Sequence, residues 1–317
     1  MSITSYIKEI GRGKEGARSL SEAQALDLMG QVLDGQVSDL ELGAFAMAMR
    51  IKGETVDELA GFLQAAATRC LPIACERTLV VLPSYNGARK LPNLTPLLAL
   101  MLAQEDVPVL VHGMPEDPGR VTTADIFQVL GLPIARTADD VSQAWRRREP
   151  VFMRTDALCP PLARLLDARW TIGLRNSGHT IAKLLDPCAA GRAMRVVNYT
   201  HPEYGTMLTD FLQHTAANAL LMRGTEGEPV ADPRRLPRLD VYIDGQPRSE
   251  LSLAAHDGVL RELPVLPRSC DAATTALYIQ SVISGEKPAP APITQQVACL
   301  LDSLAALERA HPKEKSA

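Results

Sequence analysis

Through its first seventy residues the chain repeats apolar side chains at three- and four-residue intervals, the period of helices with one buried face. One short segment centres on Tyr6, Ile7 and Ile10. A second, Ser21 to Leu33, carries Leu26, Met29, Val32 and Leu33, and a third, Ser38 to Ile51, carries Leu42, Phe45, Ala46 and Met49. A fourth runs from Thr55 to Cys70. Ser19 and Ser21 are candidate caps with Glu22 in the next turn, and Ser38-Asp39-Leu40-Glu41 reads as a helix start. Thr55, Asp57 and Glu58 put acids at the end of the fourth helix that the backbone dipole favours. The apolar faces are wide enough to serve a core and a partner.

From residue 78 the pattern changes to short β-branched runs alternating with helical stretches. Leu79–Leu82, Val107–Val111, Met194–Asn198 and Leu239–Ile243 read as strands; Leu94–Ala103, Thr122–Leu130, Thr206–Leu221 and Ala272–Ile283 read as helices. This alternation predicts an α/β fold, a mostly parallel sheet flanked by helices, with a smaller α-helical N-terminal domain. The boundary is expected near residue 74, giving a helical domain 1–74 and an α/β domain 75–317. The helix-rich stretch 158–186 is expected to fold back onto the first domain. EKPAPAPIT is a Pro/Ala hinge before a last helix ending near Arg309, and HPKEKSA reads as a frayed tail.

Composition narrows the class. With 317 residues and 46% apolar content the chain can bury a sizeable core. No apolar run reaches the roughly 18 residues needed to cross a bilayer, and the amino terminus turns charged within a few residues. The six cysteines lack the paired spacing of a zinc site or the density of a disulfide scaffold, which predicts a reducing, cytoplasmic setting. A net charge of −4 excludes a chain that is basic all over, so any polyanion partner needs a local patch.

The chemistry gathers in a few loops. PSYNGARKLPNLT, residues 83–95, leaves a strand with two adjacent cations, Arg89 and Lys90, where open α/β sheets place phosphate ligands. It lacks the usual acidic metal ligand. Other cations stand in IKEIGRGKEGARS (Lys8, Arg12, Lys14, Arg18), in PRRLPR, and in AWRRREP, whose Arg146–Arg148 run reads as a solvated face. No serine or cysteine sits in a recognisable nucleophile context, so no catalytic residue is assigned.

In order along the chain stand IKEIGRGK, DLELG, RIKGE, PSYNGARK, NLTPLLA, VHG, CPPLA, RNSGHTIAKL, HPEY and RGTEGE. This set resembles the anthranilate phosphoribosyltransferase and pyrimidine nucleoside phosphorylase superfamily over nearly the whole chain, and most of all its YbiB-type branch. The resemblance implies a helical domain beside a parallel sheet, and a homodimer. The transferases carry GTGGD where Pro83 to Gly87 stand here, so glycines and an acid are replaced, while Asn93 and Thr95 match the family's phosphate-binding FNIST segment. In the KHGN element His112 and Gly113 remain, but the lysine is Val111 and the asparagine Met114. Adjacent Asp-Glu metal ligands become alternating Glu226 and Glu228, which leaves them weak candidates for Mg²⁺. Arg169 takes the position of the anthranilate-pocket arginine, and with Arg175 and Lys183 it is expected to form a cationic surface on successive helical turns.

The expected phosphate-binding residues are Ser84, Asn86, Gly87, Arg89, Lys90, Asn93, Thr95 and His112. The favoured function is sequence-nonspecific binding of single- or double-stranded nucleic acid by a homodimer, through Arg12, Lys14, Arg18, Arg89, Lys90, Arg169, Arg175 and Lys183 and without a cofactor. The alternative is a glycosyltransferase or phosphoribosyltransferase acting on a nucleobase-like acceptor, with Mg²⁺ required only in that case.

Overall fold

The computed structural model describes residues 2–13, 15–188 and 191–312; Lys14 therefore lies outside the described residues. Contacts divide the chain into two units, Met1–Leu71 with Thr155–Pro187, and Pro72–Arg154 with Cys188–Ala317.

The chain opens with four helices, α1 (Thr4–Ile10), α2 (Glu22–Leu33), α3 (Asp39–Lys52) and α4 (Val56–Ala67). Ser21, Ser38 and Thr55 each cap a helix and close a reciprocal bond with Gln24, Glu41 and Glu58, so two backbone amides at each helix start gain partners from local sequence. Ser19 caps nothing, since the helix starts beyond Ser21. Leu28, Met29, Phe45, Met49, Leu59 and Phe62 fill the interior of this unit. Glu58 is also buried there and pairs with Lys52 Nζ at 2.6 Å.

The second unit then begins with β1 (Leu79–Ser84), α5 (Thr95–Gln104), β2 (Val109–Gly113), α6 (Thr123–Leu130), β3 (Ile134–Ala135), α7 (Ala138–Arg146) and β4 (Val151–Arg154). The first unit resumes with α8 (Thr155–Leu158), α9 (Pro160–Ile172) and α10 (Gly178–Leu184). The second is completed by β5 (Ala193–Tyr199), α11 (Glu203–His214), β6 (Ala219–Arg223), β7 (Leu239–Ile243), β8 (Gln246–Pro247), α12 (Ala272–Ile283) and α13 (Ala291–Ala310).

The sheet runs β3-β4-β2-β1-β5-β6-β7-β8, parallel through β6 and antiparallel for the last two strands. Every residue of β1 and β2 is buried, as a parallel sheet covered on both faces requires. Leu97, Leu98 and Leu102 of α5, Ile126 and Phe127 of α6, Ile279 of α12 and Leu300, Leu304 and Leu307 of α13 build one core with these strands. Leu98→Ala would cost about 2–5 kcal/mol by lost transfer and cavity formation.

The sequence pattern misreads the segment after β5. The helix expected over Thr206–Leu221 ends at His214, and Ala219–Leu221 belongs to β6. Ala216, at φ 47°, turns the chain between them. A short buried apolar run carries no period, so it fits helix and buried strand equally well. Among the described residues no helix is long and apolar enough to cross a membrane.

Candidate anion site

β1 and β2 lie in register with Pro83 opposite His112 and Ser84 opposite Gly113. The two strands approach so closely that a Cβ on Gly113 would lie 1.8 Å from the Ser84 carbonyl oxygen, which explains the glycine of VHG. Beyond Ser84 the chain turns through Gly87, at φ 69° with Val121 O only 2.9 Å from where its Cβ would be. Paired backbone bonds between Ala88 and Val121, 2.8 and 3.0 Å, then pin the loop to the segment before α6. Backbone amides at 86, 87, 89 and 90 are thereby held at the carboxyl edge of the sheet.

What they bind is part of the same unit. After β6 the chain makes a tight turn closed by Glu228 N donating to Thr225 O at 2.9 Å, with positive φ at Glu226 and Gly227. The left-handed backbone at Glu226 costs about 1–2 kcal/mol. Its return is that both acids meet the loop. Glu228 Oε1 accepts from the Asn86 and Gly87 amides, each at 2.7 Å, and Oε2 accepts from the Ser84 hydroxyl and from Thr95 Oγ1 at 3.4 Å. Glu226 accepts from Arg89 N at 2.6 Å and Lys90 N at 3.0 Å, and Asn86 Nδ2 donates to its carbonyl at 2.8 Å. Glu228 is 1% exposed, and among the described residues no Lys or Arg side chain pairs with it. A buried anion is held by neutral donors alone, the chemistry of a phosphate nest.

The other residues expected to bind phosphate stand one step back. Asn93 donates to Thr123 Oγ1 at 2.8 Å and accepts from Thr95 N at 3.1 Å, and Thr123 also meets Ser84 Oγ at 2.7 Å. His112 is fully buried with Nδ1 2.8 Å from the Tyr85 hydroxyl, the two rings edge to face, so it supports the strand end from beneath.

The residues do not fit a divalent cation in this arrangement. Mg²⁺ needs several oxygen ligands around one point, whereas the oxygens of Glu226 and Glu228 face N–H and O–H donors. Among the described residues no group of three His, Cys, Asp or Glu side chains is arranged to hold a metal.

The cations expected to meet nucleic acid are divided. Arg89 and Lys90 belong to the sheet unit, with exposed side chains that form no ion pair among the described residues. Arg12, Arg18, Arg169, Arg175 and Lys183 belong to the helical unit. There Arg12 and Arg18 both face Glu9, at 2.7 and 3.9 Å, which offsets part of their charge. Arg169, Arg175 and Lys183 do not lie on successive turns of one helix, because α9 ends at Gly173 in a left-handed C-cap and α10 starts at Gly178. They gather instead around buried His179, whose pKa is lowered to about 3 by burial and then by the charges of Arg175 and Arg169. Its Nδ1 accepts from the Asn176 amide at 3.3 Å, which fixes the neutral ring. Arg146–Arg148 is exposed, with Arg147 paired to Glu149 and Arg148 to Asp106.

The capture of the nest by Glu226 and Glu228 is absent from the sequence reading. The available signal was their spacing: acids two apart across a glycine turn can both reach one loop. Nothing in the sequence says which loop.

Residues 4–70 match the glycosyl transferase family, helical bundle domain. The uncharacterized protein YbiB of Escherichia coli (strain K12) is 42% identical over 304 residues, covering 95% of this chain and 94% of that protein. The anthranilate phosphoribosyltransferase of Methanopyrus kandleri is 25% identical over 302 residues, 93% of this chain and 87% of that one. Among solved structures, the anthranilate phosphoribosyltransferase of Thermus thermophilus superposes with a TM-score of 0.69 at 21% identity, covering 97% and 90% of the two chains. The enzyme from Saccharomyces cerevisiae in complex with PRPP and Mg superposes with the same score at 14% identity, covering 98% and 89%.

Proposed function

This chain belongs to the anthranilate phosphoribosyltransferase-like family, together with YbiB, and we propose that it is a transferase-type protein whose β1 loop receives the diphosphate of a phosphorylated sugar in competition with its own Glu226 and Glu228. The observation that carries this reading is the convergence of the Asn86, Gly87, Arg89 and Lys90 amides and the Ser84 and Thr95 hydroxyls on carboxylates. Donors fixed in that way stabilise any compact anion that reaches them. In a transfer of this kind the bond from the sugar C1 to the diphosphate breaks as the acceptor's electron pair bonds C1, and negative charge collects on the leaving group. The nest would take up that charge, with Arg89 and Lys90 adding positive charge from the rim.

Glu228 competes as a tethered ligand, so it lowers the apparent affinity for any diphosphate that must displace it. Calorimetric titration of inorganic pyrophosphate and of phosphoribosyl pyrophosphate, each with and without Mg²⁺, tests this. Wild type is expected to bind weakly, and Glu226→Gln/Glu228→Gln to bind at least about tenfold more tightly, a gain of roughly 1.4 kcal/mol. No binding by either protein would remove the diphosphate reading.

A second reading, nonspecific nucleic-acid binding, rests on the exposed side chains of Arg89 and Lys90. It calls for a homodimer that doubles the available cations. Leu40, Met47 and Ile51 on α3, 84%, 39% and 61% exposed, support such an interface. Labelled oligonucleotides of unrelated sequence, titrated over a salt series, separate the readings: binding that survives saturating pyrophosphate belongs to another surface.

A further inference from the structure

Arg120 stands on the segment between β2 and α6, in none of the motifs that carry the family resemblance, yet its side chain is fixed against the nest. Its Nη1 donates to the Gly87 carbonyl oxygen at 3.2 Å. Backbone packing holds the two segments together: a Cβ on Gly87 would lie 3.0 Å from Arg120 Cβ and 2.9 Å from Val121 O. The turn that presents Arg120 is held as well, by Arg120 N donating to Asp117 O at 3.3 Å and Gly119 N to Asp117 Oδ1 at 2.9 Å. Gly87 thus turns its amide to the Glu228 carboxylate, at 2.7 Å, and its carbonyl to a guanidinium. Because the N and O of one residue are at most roughly 4 Å apart, Arg120 reaches within about 10 Å of that carboxylate.

Its charge has no partner of opposite sign. Arg120 is half-buried, and among the described residues no Asp or Glu pairs with it. Arg69 and Arg234, also half-buried, each meet an aspartate through two bonds, at 2.7 Å and at 3.0 Å. A cation held partly out of water without a counter-ion gains more from an arriving anion than a solvated one does. A diphosphate carries several negative charges, more than neutral amides and hydroxyls offset. Glu226 and Glu228 cannot bring it a divalent cation while they face N–H and O–H donors.

We propose that Arg120 is a phosphate-binding residue that supplies the counter-charge of a diphosphate in the nest, so that the site takes its diphosphate free of divalent metal. The proposal rests on the reading of the nest as a diphosphate site. One phosphate displaces the carboxylates from the amides. The other lies towards the Gly87 carbonyl, where the guanidinium N–H groups that Gly87 does not engage meet its oxygens. A planar fork of donors suits two phosphate oxygens at once, which a lysine ammonium does not. Arg89 and Lys90 add charge from exposed positions, where salt screens them, whereas Arg120 acts from within the wall of the site.

The test is calorimetric titration of inorganic pyrophosphate into full-length Glu226→Gln/Glu228→Gln protein, in EDTA and in Mg²⁺, with Arg120 intact, with Arg120→Gln and with Arg120→Lys. With Arg120 intact, binding is expected to be at least as tight in EDTA as in Mg²⁺. Arg120→Gln should weaken the metal-free complex about tenfold or more. Arg120→Lys should recover part of that loss, and Mg²⁺ should narrow it, because the metal brings counter-charge of its own. An arginine that merely holds Gly87 would instead weaken both forms of pyrophosphate alike, with Lys no better than Gln, and that result would overturn the proposal. So would an unchanged affinity in Arg120→Gln, which leaves the diphosphate reading standing. If the variants at 120 fold poorly, the protein with Arg120 intact decides by itself: binding that requires Mg²⁺ refutes the metal-free site but not the nest. No binding in either condition removes both.

Discussion

Each unit buries a glutamate among backbone donors, and the two differ in whether a cation joins them and in how far along the chain their partners lie. Glu58, 0% exposed, accepts from Leu20 N, Thr55 N and the Thr55 hydroxyl, and receives the Lys52 ammonium at 2.6 Å. Glu228, 1% exposed, accepts from two amides and two hydroxyls but from no cation. The first is a neutralised cap, held by its sequence neighbours Lys52 and Thr55 and by the more distant Leu20 amide. The second is a carboxylate held by amides more than a hundred positions away. Equal burial therefore conceals unequal settings: Glu58 is matched by a cation, whereas Glu228 is met by neutral donors, which on the proposed reading would serve a diphosphate in its place.

The largest effect should fall on the cap. Glu58→Ala leaves Lys52 buried without its partner and removes a capping box, and is expected to cost about 3–5 kcal/mol in denaturant unfolding. Glu228→Gln keeps the shape and loses the charge; it is expected to cost only about 1–2 kcal/mol while diphosphate affinity rises. Equal losses for the two variants would break the contrast and make Glu228 a structural residue.

A third buried ionisable group sharpens the comparison from the cationic side. His179 has a folded pKa of about 3, below its unfolded value, so at intermediate pH the unfolded chain binds a proton that the folded one excludes. Its stability contribution is complete above the unfolded pKa of about 6.5 and falls as pH drops towards 3, by up to about 1.4 kcal/mol per pH unit. His179→Gln should flatten the stability profile between roughly pH 4 and 6. An unchanged slope would assign the acid sensitivity to carboxylates instead.

The same contrast explains what the sequence discloses. Ser38-Asp39-Leu40-Glu41 is legible because cap and acid are three residues apart and meet by helix geometry. The sheet and the phosphate-type loop after β1 follow from local pattern and the order of motifs. The partner of that loop does not, since Glu228 reaches Asn86 across 142 positions and only the folded sheet brings β1 beside β5 and β5 beside β6. The break between Arg169 and Lys183 was hidden for a different reason. Gly173 stops α9 through a left-handed cap, and an apolar and cationic spacing that nearly continues across it resembles one longer helix.

The smallest effect concerns the surface cations. Arg147 and Arg148 already face acids at 2.8 and 3.3 Å, and such exposed pairs contribute little. Replacing Arg146, Arg147 and Arg148 by Gln should change stability by no more than about 1 kcal/mol and leave pyrophosphate binding unaltered. Arg89→Gln/Lys90→Gln alters side chains at the rim while the backbone amides keep their bonds to Glu226. It should weaken pyrophosphate modestly, and if the second reading holds, it should weaken all oligonucleotides alike and reduce the log–log salt slope by up to about two. If neutralising 146–148 abolishes oligonucleotide binding while the change at 89 and 90 does nothing, nucleic acid meets a surface remote from the nest. The diphosphate site and the polyanion site would then be separate features of one chain.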